Sequence, residues 1–226
     1  MQVLTTYNSI TSGFDIPLSE VFMSPTGTTG ISDDFRLLTE WDARTSVASG
    51  ATAVLTADSF GGEATITGVS AGGGHLELKT AAFAAAAGKP VFMLSRVKVT
   101  TAGQYFIGLT QKVAANSAVS SATQIVAGSG AGFVINTDNK ADLVTRDNTG
   151  TPINVVVADQ FTIVAGTYYL FGVALYTNVA EFFINGKKIG QAALTGGLSG
   201  NVCPSFECNT NTKVMTIDLC SVAQER

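Results

Sequence analysis

The sequence predicts an all-β domain, two antiparallel sheets packed face to face, and three observations carry that expectation. From Phe35 onward, short runs rich in β-branched and aromatic residues alternate with Gly, Asn, Asp and Ser punctuation. Asn185-Gly186 stands between two such runs, and this dipeptide tolerates the positive φ angles of a tight type I′ hairpin turn. In the last run, Lys213–Val222, the residues Met215, Ile217 and Leu219 fall on one face and Thr216, Asp218 and Cys220 on the other. That is the period-2 pattern of a half-buried strand.

Taken in chain order, residues 1–30 come first. Thirteen of them are Ser, Thr or Gly, and Pro17 and Pro25 interrupt any regular element, with a turn expected over Met23–Gly27. This segment reads as an extended arm or irregular edge, and residues 31–226 as a single sandwich domain. Strands are expected at Glu63–Ser70, His75–Thr80, Val91–Thr100, Gln104–Gln111, Gly132–Asn136 and Ala141–Arg146. Further ones are expected at Pro152–Val164, Thr167–Tyr176, Ala180–Asn185, Lys187–Gln191 and Lys213–Val222. The one helix-like stretch is Ala81–Gly88, whose alanines favour helix but whose length allows a turn or two at most.

Composition narrows the function classes. Charged residues make up 13% of the 226, about half the ~25% usual for globular proteins. The resulting neutral, hydroxyl-rich surface suits permanent packing against other chains. With a net charge of −4 and a pI near 4.9, binding to nucleic-acid phosphates is not expected. The acidic excess is concentrated at the start: residues 1–63 hold eight Asp and Glu against Arg36 and Arg44 alone. Such a region suits a basic partner surface or a solvated face. The N-terminal sequence has no basic region followed by an apolar run, so no signal peptide is expected, and no stretch reaches the ~20 apolar residues of a membrane helix. Synthesis in the cytoplasm follows as the expectation. Cys203, Cys208 and Cys220 are too few for a disulfide scaffold, and His75 is the sole histidine, so no zinc or calcium site and no cofactor is expected.

Catalytic patterns are fragmentary. The glycine clusters Gly61-Gly62, Gly72-Gly73-Gly74 and Gly128–Gly132 lead into strand-like sequence, not into helices whose amides could cradle phosphate, and so read as turns. Glu40-Trp41-Asp42 resembles the start of a Glu-x-Asp-x-x-Glu glucanase strand, but Thr45 stands where the general acid would be. His75 and Glu77 share one strand face and could form an acid/base dyad, yet no strained nucleophile elbow accompanies them, and a solvent-exposed polar face is the expectation. No catalytic residue is assigned. For sugar binding, the residues of interest are Trp41, the only Trp, and Tyr176 and Asn178 at a strand end.

The segment Thr167–Gln191, with Tyr169, Val173, Phe183, Asn185, Gly186 and Gly190, resembles the concanavalin-A-like (laminin-G-like) jelly roll, in which a Tyr-x-Leu-x-Val strand leads into an Asn-Gly hairpin. Met215–Val222 is similar to that family's closing Ile-Asp strand, and the likeness extends loosely over Gly62–Arg226. Low charge and the ending Ser221–Arg226, SVAQER, resemble tailed-phage virion proteins of this fold. The resemblance implies a capsid decoration (cement) protein on the virion surface. Its partners would be the major capsid protein and further copies of itself, a trimer before a dimer. In that setting Tyr7, Phe14, Ile16, Leu18 and Phe22 of the arm would contact a neighbouring subunit. The alternative is a carbohydrate-binding, lectin-like module using Trp41, Tyr176 and Asn178.

Overall fold

The computed structural model describes residues 28–33, 41–45, 53–57, 62–68, 74–78, 83–86, 89–111, 125, 128–147, 152–198 and 200–225. They form fifteen strands in two antiparallel sheets. One sheet runs β13 (Lys187–Ala193), β12 (Val179–Ile184), β11 (Tyr168–Leu175), β6 (Val91–Val99), β15 (Val214–Glu225), β4 (Gly62–Thr67) and β3 (Ala53–Ala57). An eighth strand, β1 (Thr28–Asp33), pairs with β15. The other sheet runs β10 (Pro152–Thr162), β9 (Lys140–Arg146), β8 (Gly130–Ile135), β7 (Tyr105–Gln111), β14 (Val202–Cys208), β5 (Gly74–Leu78) and β2 (Trp41–Thr45). Thr28–Gly30, at the end of the segment read as an arm, are thus part of a sheet. Among the described residues no helix is long and apolar enough to cross a membrane.

Period-2 alternation builds the core. Inward residues of the two sheets meet as edge-to-face rings: Phe133 of β8 lies 5.1 Å from Phe171 of β11 and 5.5 Å from Phe182 of β12. Such pairs add about 0.5–1.5 kcal/mol each beyond the apolar area they bury. Gly190 of β13 faces Leu143 of β9 so closely that an added Cβ would sit 2.4 Å from Leu143 Cδ1. The two sheets therefore approach here through a position that has no side chain. The three cysteines are buried thiols, none of them in a disulfide. Cys208 donates its thiol to the Lys213 carbonyl at 3.3 Å, and burial pushes its pKa up to about 11.

Two local expectations are corrected. The closing strand does not keep one alternation from end to end. Opposite β6, Ile217 pairs with Val97 but Leu219 pairs with Arg96, so Asp218 is an inserted residue, a β-bulge. Met215 and Ile217 face the core before it and Cys220 and Val222 after it, while Leu219 is half-buried outside. The alanine-rich stretch is not helical in its described part. Phe83 forms a two-hydrogen-bond bridge with Val202 (3.3 and 2.6 Å), and Gln224 Oε1 accepts from Ala84 N at 3.1 Å while its Nε2 donates to the Ala84 carbonyl. Phe83 and Ala85 close one end of the core, and this tertiary anchoring overrides alanine's helix propensity.

The Asn185-Gly186 hairpin is as expected, joining β12 to β13 with φ angles of 51° and 78°. Asn185 also accepts from the backbone N–H of Leu170 through Oδ1 at 2.9 Å, which ties the turn to β11. Gly186→Val would force a β-branched residue into the left-handed region, at a cost of roughly 1–3 kcal/mol. Chemical denaturation should show that loss, and a variant as stable as the parent would refute the turn's role.

Candidate functional site

The candidate site is the outward face of the seven-stranded sheet, and β5 and β14 show how the sequence creates it. Leu76 and Leu78 of β5 and Phe206 and Cys208 of β14 point into the core. Their alternates, His75, Glu77, Ser205 and Glu207, therefore point outward. Register then sets them in two rows across the sheet. One row carries Arg44, His75, Glu207, Phe106, Val134 and Asp142, and the next Asp42, Glu77, Ser205, Gly108, Gly132 and Val144.

At the centre sits His75. Its Nε2 lies 3.3 Å from Glu77 Oε2 and 3.3 Å from Ser205 Oγ, and its Nδ1 lies 3.7 Å from Glu207 Oε2. A neutral imidazole could satisfy one of these neighbours as a donor; the imidazolium can serve a carboxylate on each side. All four residues are sealed, with relative exposures of 1% for His75 and 0% for the other three. The expected solvent-exposed polar face is therefore corrected: His75 and Glu77 do share a face, but it is buried. Burial pulls the His75 pKa down; hydrogen bonding and charge from Glu207 and Glu77 outweigh it and hold the pKa above the ordinary value.

Beside the cluster, Phe106 lies over a floor of glycines. A Cβ on Gly132 would sit 2.6 Å from Phe106 Cε2, and one on Gly108 would sit 2.8 Å from Cζ. The ring occupies space that any side chain there would take. Farther along β7, the Thr110 hydroxyl is buried and meets no hydrogen-bond partner among the described residues. At the far end Asn136 Nδ2 donates to Asp142, whose carboxylate is also buried. The face thus combines carboxylates, an imidazole, hydroxyls and one aromatic plane. Among the described residues, no group of three or more His, Cys, Asp or Glu side chains is placed to hold a metal ion.

The residues expected to contact a glycan are not brought together. Trp41 lies in the inter-sheet core at 3% exposure, its ring 6.0 Å from Phe206, because register with Leu78 turns it inward. Tyr176 packs edge-on against Phe92 on the other sheet, with ring centroids 6.3 Å apart. Asn178 is exposed in the turn after β11, where its carbonyl accepts from Leu194 N at 2.8 Å. Glu40 and the arm residues Tyr7, Phe14, Ile16, Leu18 and Phe22 lie outside the described residues. Sequence reasoning missed Ser205, Glu207 and Phe106. The alternation in Ser205-Phe206-Glu207-Cys208 was the available signal, but nothing local says that this strand lies beside His75.

No protein-family model and no curated protein matches the sequence. Solved structures do match. A protein of unknown function from Shewanella oneidensis MR-1 superposes with a TM-score of 0.61 at 12% identity, over 94% of this chain and 95% of that one. An endo-1,3-β-glucanase from Streptomyces sioyaensis does so with a TM-score of 0.59 at 14% identity, over 88% and 97%. The carbohydrate recognition domain of Emp47p gives 0.59 at 13%, over 88% and 97%. The fold is the concanavalin-A-like jelly-roll sandwich. At these identities the likeness concerns the fold alone.

The His75 cluster makes stability depend on pH in a definite direction. A histidine whose folded pKa is raised contributes stability that is complete below its unfolded pKa of about 6.5 and is lost as pH rises through the folded value. Between pH 6 and pH 9 the parent should therefore lose stability relative to His75→Gln, which has no such titration. Urea midpoints at several pH values test this; parallel pH profiles for the two proteins would refute it.

Proposed function

We propose that this protein is a non-catalytic carbohydrate-binding module whose ligand face is the outward side of the seven-stranded sheet. One observation carries the reading: a cluster of hydrogen-bonding groups, His75, Glu77, Ser205 and Glu207, set beside the Phe106 ring on its glycine floor. A pyranose offers the complementary chemistry, with hydroxyls that pair with carboxylate, imidazole and Ser oxygen and an apolar C–H face that lies on an aromatic plane. The Thr110 hydroxyl, which meets no hydrogen-bond partner among the described residues, is a polar atom that such a ligand would satisfy. Two of the structural neighbours, the glucanase and the carbohydrate recognition domain, bear names that fit the same substrate class. Binding without turnover fits the sequence, in which Thr45 replaces the third carboxylate of a glucanase strand. Because the cluster is sealed, binding on this reading is coupled to opening of the face, and association is slow.

A glycan array followed by calorimetry on the strongest hit tests the proposal. Phe106→Ala and Glu207→Gln should each weaken binding at least tenfold, and Tyr176→Ala should leave it unchanged. Absence of glycan binding, or binding indifferent to both substitutions, would overturn it.

A second reading, a virion decoration protein binding a major capsid protein, is favoured by the 13% charged composition and the SVAQER ending. Saturable co-sedimentation of the full chain with capsid shells, at a fixed copy number per shell, is the expected result; no retention at micromolar concentration would dismiss it.

A further inference from the structure

The outward face of the eight-stranded sheet carries an apolar patch, Phe92, Leu94, Ala174, Phe183 and Ala223, and no member of it titrates. The outward face of the seven-stranded sheet carries the chain's single histidine instead. Histidine is the side chain whose ordinary pKa, about 6.5, makes it change charge near neutrality. What that change does here depends on its neighbours.

His75 stands between two carboxylates, and its two nitrogens are engaged separately. Nε2 lies 3.3 Å from Glu77 Oε2, with Ser205 Oγ at the same distance, and Nδ1 lies 3.7 Å from Glu207 Oε2. The four side chains come from two adjacent strands in fixed register, His75 opposite Glu207 and Glu77 opposite Ser205. The backbone ladder cannot adjust the cluster; only side-chain rotation can. An imidazolium directs an N–H at each carboxylate, whereas a neutral imidazole has one N–H for the two. Loss of the proton therefore takes a donor from one carboxylate and turns one ring nitrogen into an acceptor. With exposures of 0–1% across the four residues, bulk water does not replace that donor.

The remaining groups around His75 do not supply such a change. On one side β2 sets Arg44 opposite His75 and Asp42 opposite Glu77. On the other, β7 sets Phe106 opposite Glu207 and Gly108 opposite Ser205, neither of them charged. Asp142 of β9 stands at the far end of the row, where Asn136 donates to it. Arginine keeps its charge throughout, and among these residue types only histidine has its ordinary pKa near neutrality.

We propose that this face takes its glycan in exchange for a proton, a step that rests on the carbohydrate reading above. A ligand hydroxyl that reaches Glu77 or Glu207 replaces an imidazole N–H as donor to that carboxylate. A second hydroxyl donates to the ring nitrogen that has lost its proton, a bond the imidazolium cannot accept. Glycan and proton thus compete for one cluster, and the competition is reciprocal: a bound glycan lowers the His75 pKa, and acid weakens the complex. The free protein fixes the window. Burial lowers the His75 pKa there, but hydrogen bonding and charge from Glu207 and Glu77 more than offset it, so the free value is raised. Between the His75 pKa of the complex and that of the free protein, the association constant climbs about tenfold per pH unit; outside that window it is flat.

The full chain and a printed array of neutral gluco-, manno-, galacto- and xylo-oligosaccharides test the idea. NMR of the only histidine ring should first give a free-protein pKa above the ordinary value of about 6.5. Array binding should then be at least tenfold stronger at pH 9 than at pH 6. Calorimetry of the brightest array oligosaccharide, run at the free-protein His75 pKa in phosphate and in Tris, should show release of about half a proton per glycan bound. Adding that oligosaccharide at the same pH should move the ring signals toward their neutral position. A free-protein pKa at or below the ordinary value, binding equal at the two pH values or stronger in acid, no proton release, or unmoved ring signals would each overturn the proposal and leave the carbohydrate reading standing. No binding to any array member at either pH would overturn both.

Discussion

The ladder between the last strand and β6 is the constraint on which the rest of the structure depends. It runs from Met215 opposite Val99 to Gln224 opposite Val91. On its far side β6 carries β11, through eight consecutive register pairs, and on its far side β15 carries first β4 and then β1. A strand shifted by one residue turns its whole inward set outward, and here one such shift is built in. The bulge at Asp218 sends Cys220 and Val222 into the core and Ser221 and Ala223 out beside Leu94 and Phe92. Both the inter-sheet core and the outer apolar patch hang on that single residue. The Arg96–Asp218 pair beside the bulge is partly exposed, and pairs of that kind contribute about 0–1 kcal/mol, so packing on the two faces holds the register. Because β15 lies near the end of the sequence and its partners are spread from β1 to β6, most of this sheet closes through contacts of long sequence separation, a topology that folds slowly.

The two outward faces of the sandwich solve opposite problems. On the eight-stranded sheet, apolar side chains are removed from water, which is favourable once something covers them. On the seven-stranded sheet, ionisable side chains are removed from water, which is costly unless they pair. The His75 cluster meets that cost by giving the imidazole a carboxylate on each side, and the same arrangement explains why its proton is held more tightly. Stability and protonation are thereby linked at a position that contributes nothing to the inter-sheet core.

Much of the fold was legible because alternation is a local signal. From β4 onward each expected strand coincides with an observed one to within about three residues at each end, and Asn185-Gly186 marked its hairpin, but β14 was not expected at all. What was missed has specific causes. In β14 every residue is buried, polar Ser205 and Glu207 included, so polarity and burial do not alternate together. The bulge at Asp218 leaves no trace in a pattern of single residues. Alanine's helix propensity was outweighed by the Phe83–Val202 bridge, a contact between positions more than a hundred residues apart. At the site, the sharing of a face by His75 and Glu77 followed from their spacing of two. Their meeting with Ser205, across a separation of 130 residues, depends on which strands become neighbours, and period says nothing of that. Trp41 drew notice as the only Trp, but register with Leu78 decided its side of the sheet.

The fold is specified by inward residues, and this determines where function can be sought. Phe133, Phe171, Phe182 and their neighbours suffice to hold two sheets together, and the structural relatives share that architecture at 12–14% identity. The outward rows answer to a different requirement. A buried pair or triad of charges can often be exchanged for well-packed apolar residues with no loss, or a gain, of stability. A sandwich seeking only stability would thus place valine or leucine at His75, Glu77 and Glu207, as it does at Val134 and Val144 in the same two rows. Carboxylates and an imidazole at those positions, next to a phenyl ring kept clear by glycines, are the part of this molecule that packing does not explain. That unexplained part, more than the likeness to any solved structure, directs attention to the outward face of the seven-stranded sheet.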